Sequence, residues 1–97
     1  MAEERPNILI ERNEVIEILV RTMIGEYIPL SVEVTSTVDD VKIMLYQVTG
    51  VFPDQQVLVF LGDELEDGRT LKSYRIQESS ELSLMPRINA GFQPTPL

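Results

Sequence analysis

Six acidic side chains carry the most obvious chemical potential in this chain: Asp39 and Asp40 side by side, and Asp63, Glu64, Glu66 and Asp67 within one short stretch. Paired carboxylates can divide general acid and base work between them, and a carboxylate cluster can hold calcium. The spacing supports neither use. No EF-hand pattern is present, and no glycine-rich phosphate loop precedes the helical run that begins at Thr37. The chain has no histidine and no cysteine. It therefore lacks the usual zinc ligands, a thiol nucleophile and the usual neutral-pH base. The acids read as a helix cap and solvated turns, and no enzymatic activity, metal or cofactor is expected. A domain of this size with one helix rarely builds the concave site that catalysis needs.

Charge narrows the partners. Sixteen acids against eight bases give a net charge of −8, a field that repels phosphate backbones and anionic membrane surfaces. Neither nucleic acid nor a membrane is expected as a partner. No apolar run approaches the ~18 residues of a membrane span, and Met1 to Asn7 is too acidic for the n-region of a signal peptide. Without cysteine there is no disulfide framework, which fits a cytoplasmic or nuclear protein. At 97 residues one domain is expected, burying somewhat over ~60% of its unfolded-chain surface.

The elements that would position any functional side chain follow from periodicity. Ile16, Ile18 and Val20 alternate with Glu17, Leu19 and Arg21, and after a turn at Thr22 to Glu26 the alternation resumes at Ile28, Leu30 and Val32, which makes a hairpin. Pro29 cannot donate to a ladder, so the second strand should lie at a sheet edge. Thr37 is an N-cap followed by acids that suit the positive end of a helix. Val38, Val41, Leu45 and Val48 form one apolar stripe, with Ile43 and Met44 off it as surface apolars. Gly50 ends the helix. Pro53 and Asp54 open a turn, Val57 to Leu61 form a strand, and Gly62-Asp63 reverses the chain. Leu71 to Tyr74 should be a short turn. Glu81 to Met85 is the last strand, with Leu82 and Leu84 inward and Pro86 stopping its ladder. Met1 to Glu14 is expected to be a flexible extension, in which Ile8 to Ile10 is either an extra strand or docking patch or, more simply, part of a linker. Residues 88 to 97 are expected to form a solvated tail, leaving 15 to 87 as the domain.

The words Pro53-Asp54-Gln55-Gln56, Leu65-Glu66-Asp67-Gly68-Arg69-Thr70-Leu71 and Ser73-Tyr74-Arg75-Ile76-Gln77 resemble, in order and spacing, the corresponding part of the ubiquitin family. The resemblance runs without a gap from about Ile16 to Arg87. It implies an α+β, β-grasp fold: a mixed four- to five-stranded sheet with one helix across one face, the Pro29 strand at its edge and Lys42 shielded in the helix.

Two roles are compatible with that resemblance, a docking module and a covalently attached modifier. Ubiquitin ends in a basic arm and two glycines, whereas this chain has Arg87-Ile88-Asn89-Ala90-Gly91 and continues to Leu97. Ala90 replaces one glycine, Asn89 replaces an arginine, and Pro86 stiffens the base of the arm. These departures favour a non-covalent module, with conjugation through Gly91 as the alternative. The resemblance places the family's receptor-binding apolar patch at Met23, Val59 and Met85, with Ser83 at its histidine position and Val57 at a basic one. Alternation adds Leu61 on the outward side of the third strand and Leu19 from the first. The expected partners are ubiquitin-binding domains or proteasome subunits that lay a helix or helical bundle on this patch, bound by a monomer.

Overall fold

The computed structural model describes residues 14–87. The expected N-terminal extension with Ile8 to Ile10, and the tail with Gly91, lie outside the described residues. Strands β1 (Val15–Arg21) and β2 (Tyr27–Glu33) form the hairpin that period-two alternation predicts. Helix α1 (Val38–Thr49) comes next, then β3 (Gln56–Phe60), a two-residue β4 (Asp63–Glu64) and β5 (Glu81–Pro86). The sheet order is β2-β1-β5-β3-β4. Only β1 and β5 run parallel; the other pairs are antiparallel. This is a mixed five-stranded sheet with one helix packed on it, the β-grasp arrangement. Pro29 sits on β2 at the sheet's edge, where a missing N–H does least harm.

The core is built from the predicted inward positions. Ile16, Ile18 and Val20 of β1, Leu30 and Val32 of β2, Leu58 of β3 and Leu82 and Leu84 of β5 are buried against Val38, Val41 and Leu45 of α1. Leu65, Leu71 and Ile76 close its far side from the connecting loops. Local signals set the helix ends. The Thr37 hydroxyl accepts from the Asp40 N–H at 3.3 Å while Asp40 Oδ2 accepts from the Thr37 N–H at 3.1 Å, so two otherwise orphaned donors are satisfied reciprocally. At the other end Gly50 takes φ 79°, ψ 1°, and its N–H bonds the Tyr46 carbonyl at 2.8 Å.

The structure departs from the sequence expectation at four places. Val48 is not in the core: it is 59% exposed and lines an open groove at the C-terminal end of the helix, between the β1–β2 turn and the end of β5. Lys42, by contrast, is buried as the resemblance implies, its ammonium 2.8 Å from Asp67. Met44 is partly buried and packs against the core, so it is no stray surface apolar. The third strand ends at Phe60, and the chain reverses at Leu61-Gly62 rather than Gly62-Asp63. Both residues have positive φ, 54° and 87°, and Phe60 pairs with Asp63 across a two-residue turn. Finally, β5 continues through Pro86, which pairs with Gln56, and the Arg87 N–H still bonds the Gln55 carbonyl at 2.8 Å. Proline is tolerated there because the β1 pairing of β5 stops at Ser83, so beyond it β5 has a neighbour on one side only.

Candidate protein-docking site

Each acid that invited a catalytic or metal-binding reading has a structural partner or position. Asp40 closes the capping box. Asp39 Oδ1 accepts from the Gly68 N–H at 2.7 Å. That bond, with smaller help from Asp39's own N–H, the Thr37 hydroxyl and the Lys42 charge, holds the Asp39 carboxyl below the usual carboxylate range. Asp67 meets Lys42, and Glu64 meets Arg87 at 2.7 Å. Asp63 pairs with Phe60 in the short β4, and the Glu66 N–H donates to the Tyr74 hydroxyl at 2.8 Å. Among the described residues no three acids gather as a metal-holding cluster.

The sheet face away from α1 is different. Outward positions of β3 and β5 face each other in register, Val57 with Met85 and Val59 with Ser83. These four side chains are half-buried by their neighbours and form one continuous strip across two strands. Parallel pairing brings Arg21 of β1 beside Ser83. Met23, 68% exposed in the β1–β2 turn, lines a shallow depression of ≈ 190 Å³ together with Arg21, Ser83 and Met85. Five of the expected residues, Met23, Val57, Val59, Ser83 and Met85, therefore belong to one surface.

Leu19 and Leu61 are placed otherwise. Leu19 pairs with Pro29 on one side and Glu81 on the other, so a carboxylate stands between it and β3. Leu61 has left the strand for the β3–β4 turn, where it is 85% exposed at the tip. A leucine at positive φ costs about 1–2 kcal/mol relative to a right-handed conformation, a position asparagine or glycine would fill more easily.

One charged neighbour lies outside the expected set. Arg21, whose guanidinium lies 6.0 Å from the Tyr27 ring centroid, edges the strip with a cation. Its outward orientation is legible from alternation in β1, but its place beside Ser83 depends on a parallel pairing between strands at opposite ends of the domain's sequence, which local pattern does not reveal. On the opposite edge Glu64, paired in register with Val59, holds Arg87. The strip is thus apolar along its centre, with charges of both signs on its rim. Met85 and Met23 add unbranched side chains that adapt to a partner's shape.

Comparison with known proteins places this geometry. A family model described as the ubiquitin family matches residues 18–88. A NEDD8-like protein of Arabidopsis thaliana is 31% identical over 75 residues, which are 77% of this chain and 96% of that protein. Ubiquitin D of Mus musculus is 36% identical over 90 residues, 92% of this chain but 49% of its own length. An LRR-repeat and ubiquitin-like domain-containing protein of Arabidopsis thaliana is 41% identical over 61 residues, 63% of this chain and 16% of that protein. The matched relatives thus range from proteins of about this length to much longer ones in which the match is a small part.

Proposed function

The chain belongs to the ubiquitin family, and on that premise we propose that it acts as a non-covalent docking module, without catalytic activity of its own. The observation that carries the reading is the strip formed by Val57, Val59 and Met85 with Met23 beside it, apolar in a chain of net charge −8. An apolar surface of this kind on a highly charged domain marks an interaction site. The partner is a helix or small helical bundle of a ubiquitin-binding domain or a proteasome subunit, whose apolar face meets the strip. Cytoplasm and nucleus are the compartments where such partners reside.

Val59→Glu tests this. Fully burying one valine is worth ~1.5–3 kcal/mol, so placing a charge there should weaken a helical ubiquitin-binding domain at least about tenfold in an NMR titration. The side chain points out of the sheet, so the amide spectrum should stay dispersed. Unchanged affinity in both Val59→Glu and Met85→Glu, each shown to be folded, would move the interface elsewhere.

A second reading is favoured by the similarity to a NEDD8-like protein over 96% of that protein's length: cleavage after Gly91 and conjugation to targets. It expects a mature form ending at Gly91 in cell lysate and a thioester with an activating enzyme. An unprocessed chain and no slower-migrating adducts would reject it.

A further inference from the structure

The outer side of α1 carries an apolar patch that the core does not use. Ile43 is 49% exposed, and Tyr46 follows it at the i+3 position, which brings two side chains together on a helix surface. Phe52, just past the helix, is 61% exposed and stacks on Tyr46, with ring centroids 5.2 Å apart and planes 21° from parallel. Ile43, Tyr46 and Phe52 therefore make one continuous run of aliphatic and aromatic surface. With that much of Phe52 in solvent, its outer face is accessible to another group.

The charge around this patch has one sign. Between residues 38 and 60 the sequence holds a single cation, Lys42, and it is buried against Asp67. The acids of the same stretch, Asp39, Asp40 and Asp54, are all exposed. Asp39 and Asp40 stand one helical turn before Ile43, and Asp54 follows Phe52 in the turn Pro53–Gln55. No basic residue in the last turn opposes the negative end of the helix dipole, which lies beside Tyr46 and Phe52. The chain's other two tyrosines contrast with this one: Arg21 lies over Tyr27 at 6.0 Å and Arg69 over Tyr74 at 4.4 Å. Among the described residues no cation stands over Tyr46 or Phe52.

We propose that the patch docks a basic segment of another protein, with an arginine of that segment over the Phe52 ring and a neighbouring aliphatic side chain on Ile43. Arginine fits on three counts. Its planar guanidinium stacks on an aromatic face, its charge is drawn by the acids at both ends of the patch and by the helix C-terminus, and its methylene stem covers apolar surface. Charge complementarity also decides against a second copy of this chain, since each copy has a net charge of −8 and acids would meet acids. The patch lies on the helix side of the domain and the Val57, Val59 and Met85 strip on the sheet face away from α1, so the proposal is independent of the sheet-face reading and the two surfaces can be occupied together.

The test is an NMR titration of the full chain with three synthetic peptides: one of repeated Ala-Arg-Leu-Arg units, one with lysine in place of every arginine and one with glutamate there. The arginine peptide should move the amides of Ile43, Tyr46, Gln47 and Phe52, the lysine peptide should bind more weakly because its ammonium cannot stack, and the glutamate peptide should not bind. Phe52→Ser should weaken the arginine peptide about tenfold. Ile43→Ser should weaken it as well, and both positions are exposed, so the spectra should stay dispersed. Val59→Glu should not weaken it. Shifts centred on Val57 and Val59, shifts scattered over all the acids, or an affinity unchanged by Phe52→Ser would overturn the proposal. So would concentration-dependent shifts at Tyr46 and Phe52 without peptide, because the occupant would then be a second copy.

Discussion

At its N-terminal end α1 is tied to the loop from Glu66 to Lys72 by a dense set of polar contacts, whereas at its C-terminal end it presents apolar side chains to an open groove. The first end has the capping box, the Asp39–Gly68 bond, the Lys42–Asp67 ion pair and a bridge between Thr37 and Thr70. Backbone bonds join Val38 to Arg69 and Leu71 to Ser36. The second has a glycine cap and, just past it, the Val51 carbonyl, which accepts from the Gln56 amide at 3.0 Å; the same amide also donates to the Lys42 carbonyl, further back along the helix, at 2.9 Å. It has no basic residue in the last turn to oppose the helix dipole, and Tyr46 and Phe52 stack beside it at 5.2 Å. The two ends of one helix thus differ: polar groups that find partners hold the fold at the first, and apolar groups are left outside the core at the second.

The contrast predicts where substitutions hurt. Leu71→Ala empties a fully buried position in the loop tied to the helix start and should lower the unfolding free energy by ~2–5 kcal/mol in urea denaturation. A loss well below this would mean that the loop does not share the core. Thr37→Ala, which removes the cap hydroxyl, should cost about 1 kcal/mol, and Thr37→Ser should restore most of it.

Asp39 adds a pH dependence at the same end. Its folded pKa is lowered, chiefly by the Gly68 N–H, so the contribution is fully present above the unfolded value of about 3.8 and is lost as pH falls through the lower folded value. Asp39→Asn should flatten the decline in stability below about pH 4 while changing little in the slope between pH 6 and 8. An equally steep acid decline in the variant would assign it to other carboxylates. At the far end of the helix, Val48→Ser should shift stability by no more than ~0.5 kcal/mol despite replacing an aliphatic residue. A loss of about 2 kcal/mol or more would show that Val48 is buried in solution.

Much of this fold is legible residue by residue. Inward positions of β1, β5 and most of β2, the Thr37 cap, the Gly50 stop and the edge placement of β2 through Pro29 all rest on local rules. The failures have physical causes. Val48 continues the helical spacing of Val38, Val41 and Leu45, but spacing does not say how far the sheet extends beneath the helix. Gln56, polar and fully buried, gives no local sign of its burial, which depends on carbonyls that the helix and the loop after it bring to the side chain. Leu61 extends an apolar run, yet the chain reverses there, where leucine is not the residue turn chemistry favours. Leu19 has the outward orientation expected of it, but Glu81 comes between it and the β3 side of the sheet only once β1 and β5 are paired.

The sequence by itself determined the elements, their caps and the sides their side chains take, because those depend on neighbours one to four residues away. The tertiary structure alone decided which outward side chains meet. The Val57–Met85 and Val59–Ser83 pairs, the arrival of Arg21 beside Ser83 and the groove between Ile24, Val48 and Pro86 join positions more than 20 residues apart. They are set by strand order and register, and those are chosen by the burial of the whole core rather than by any short stretch of chain.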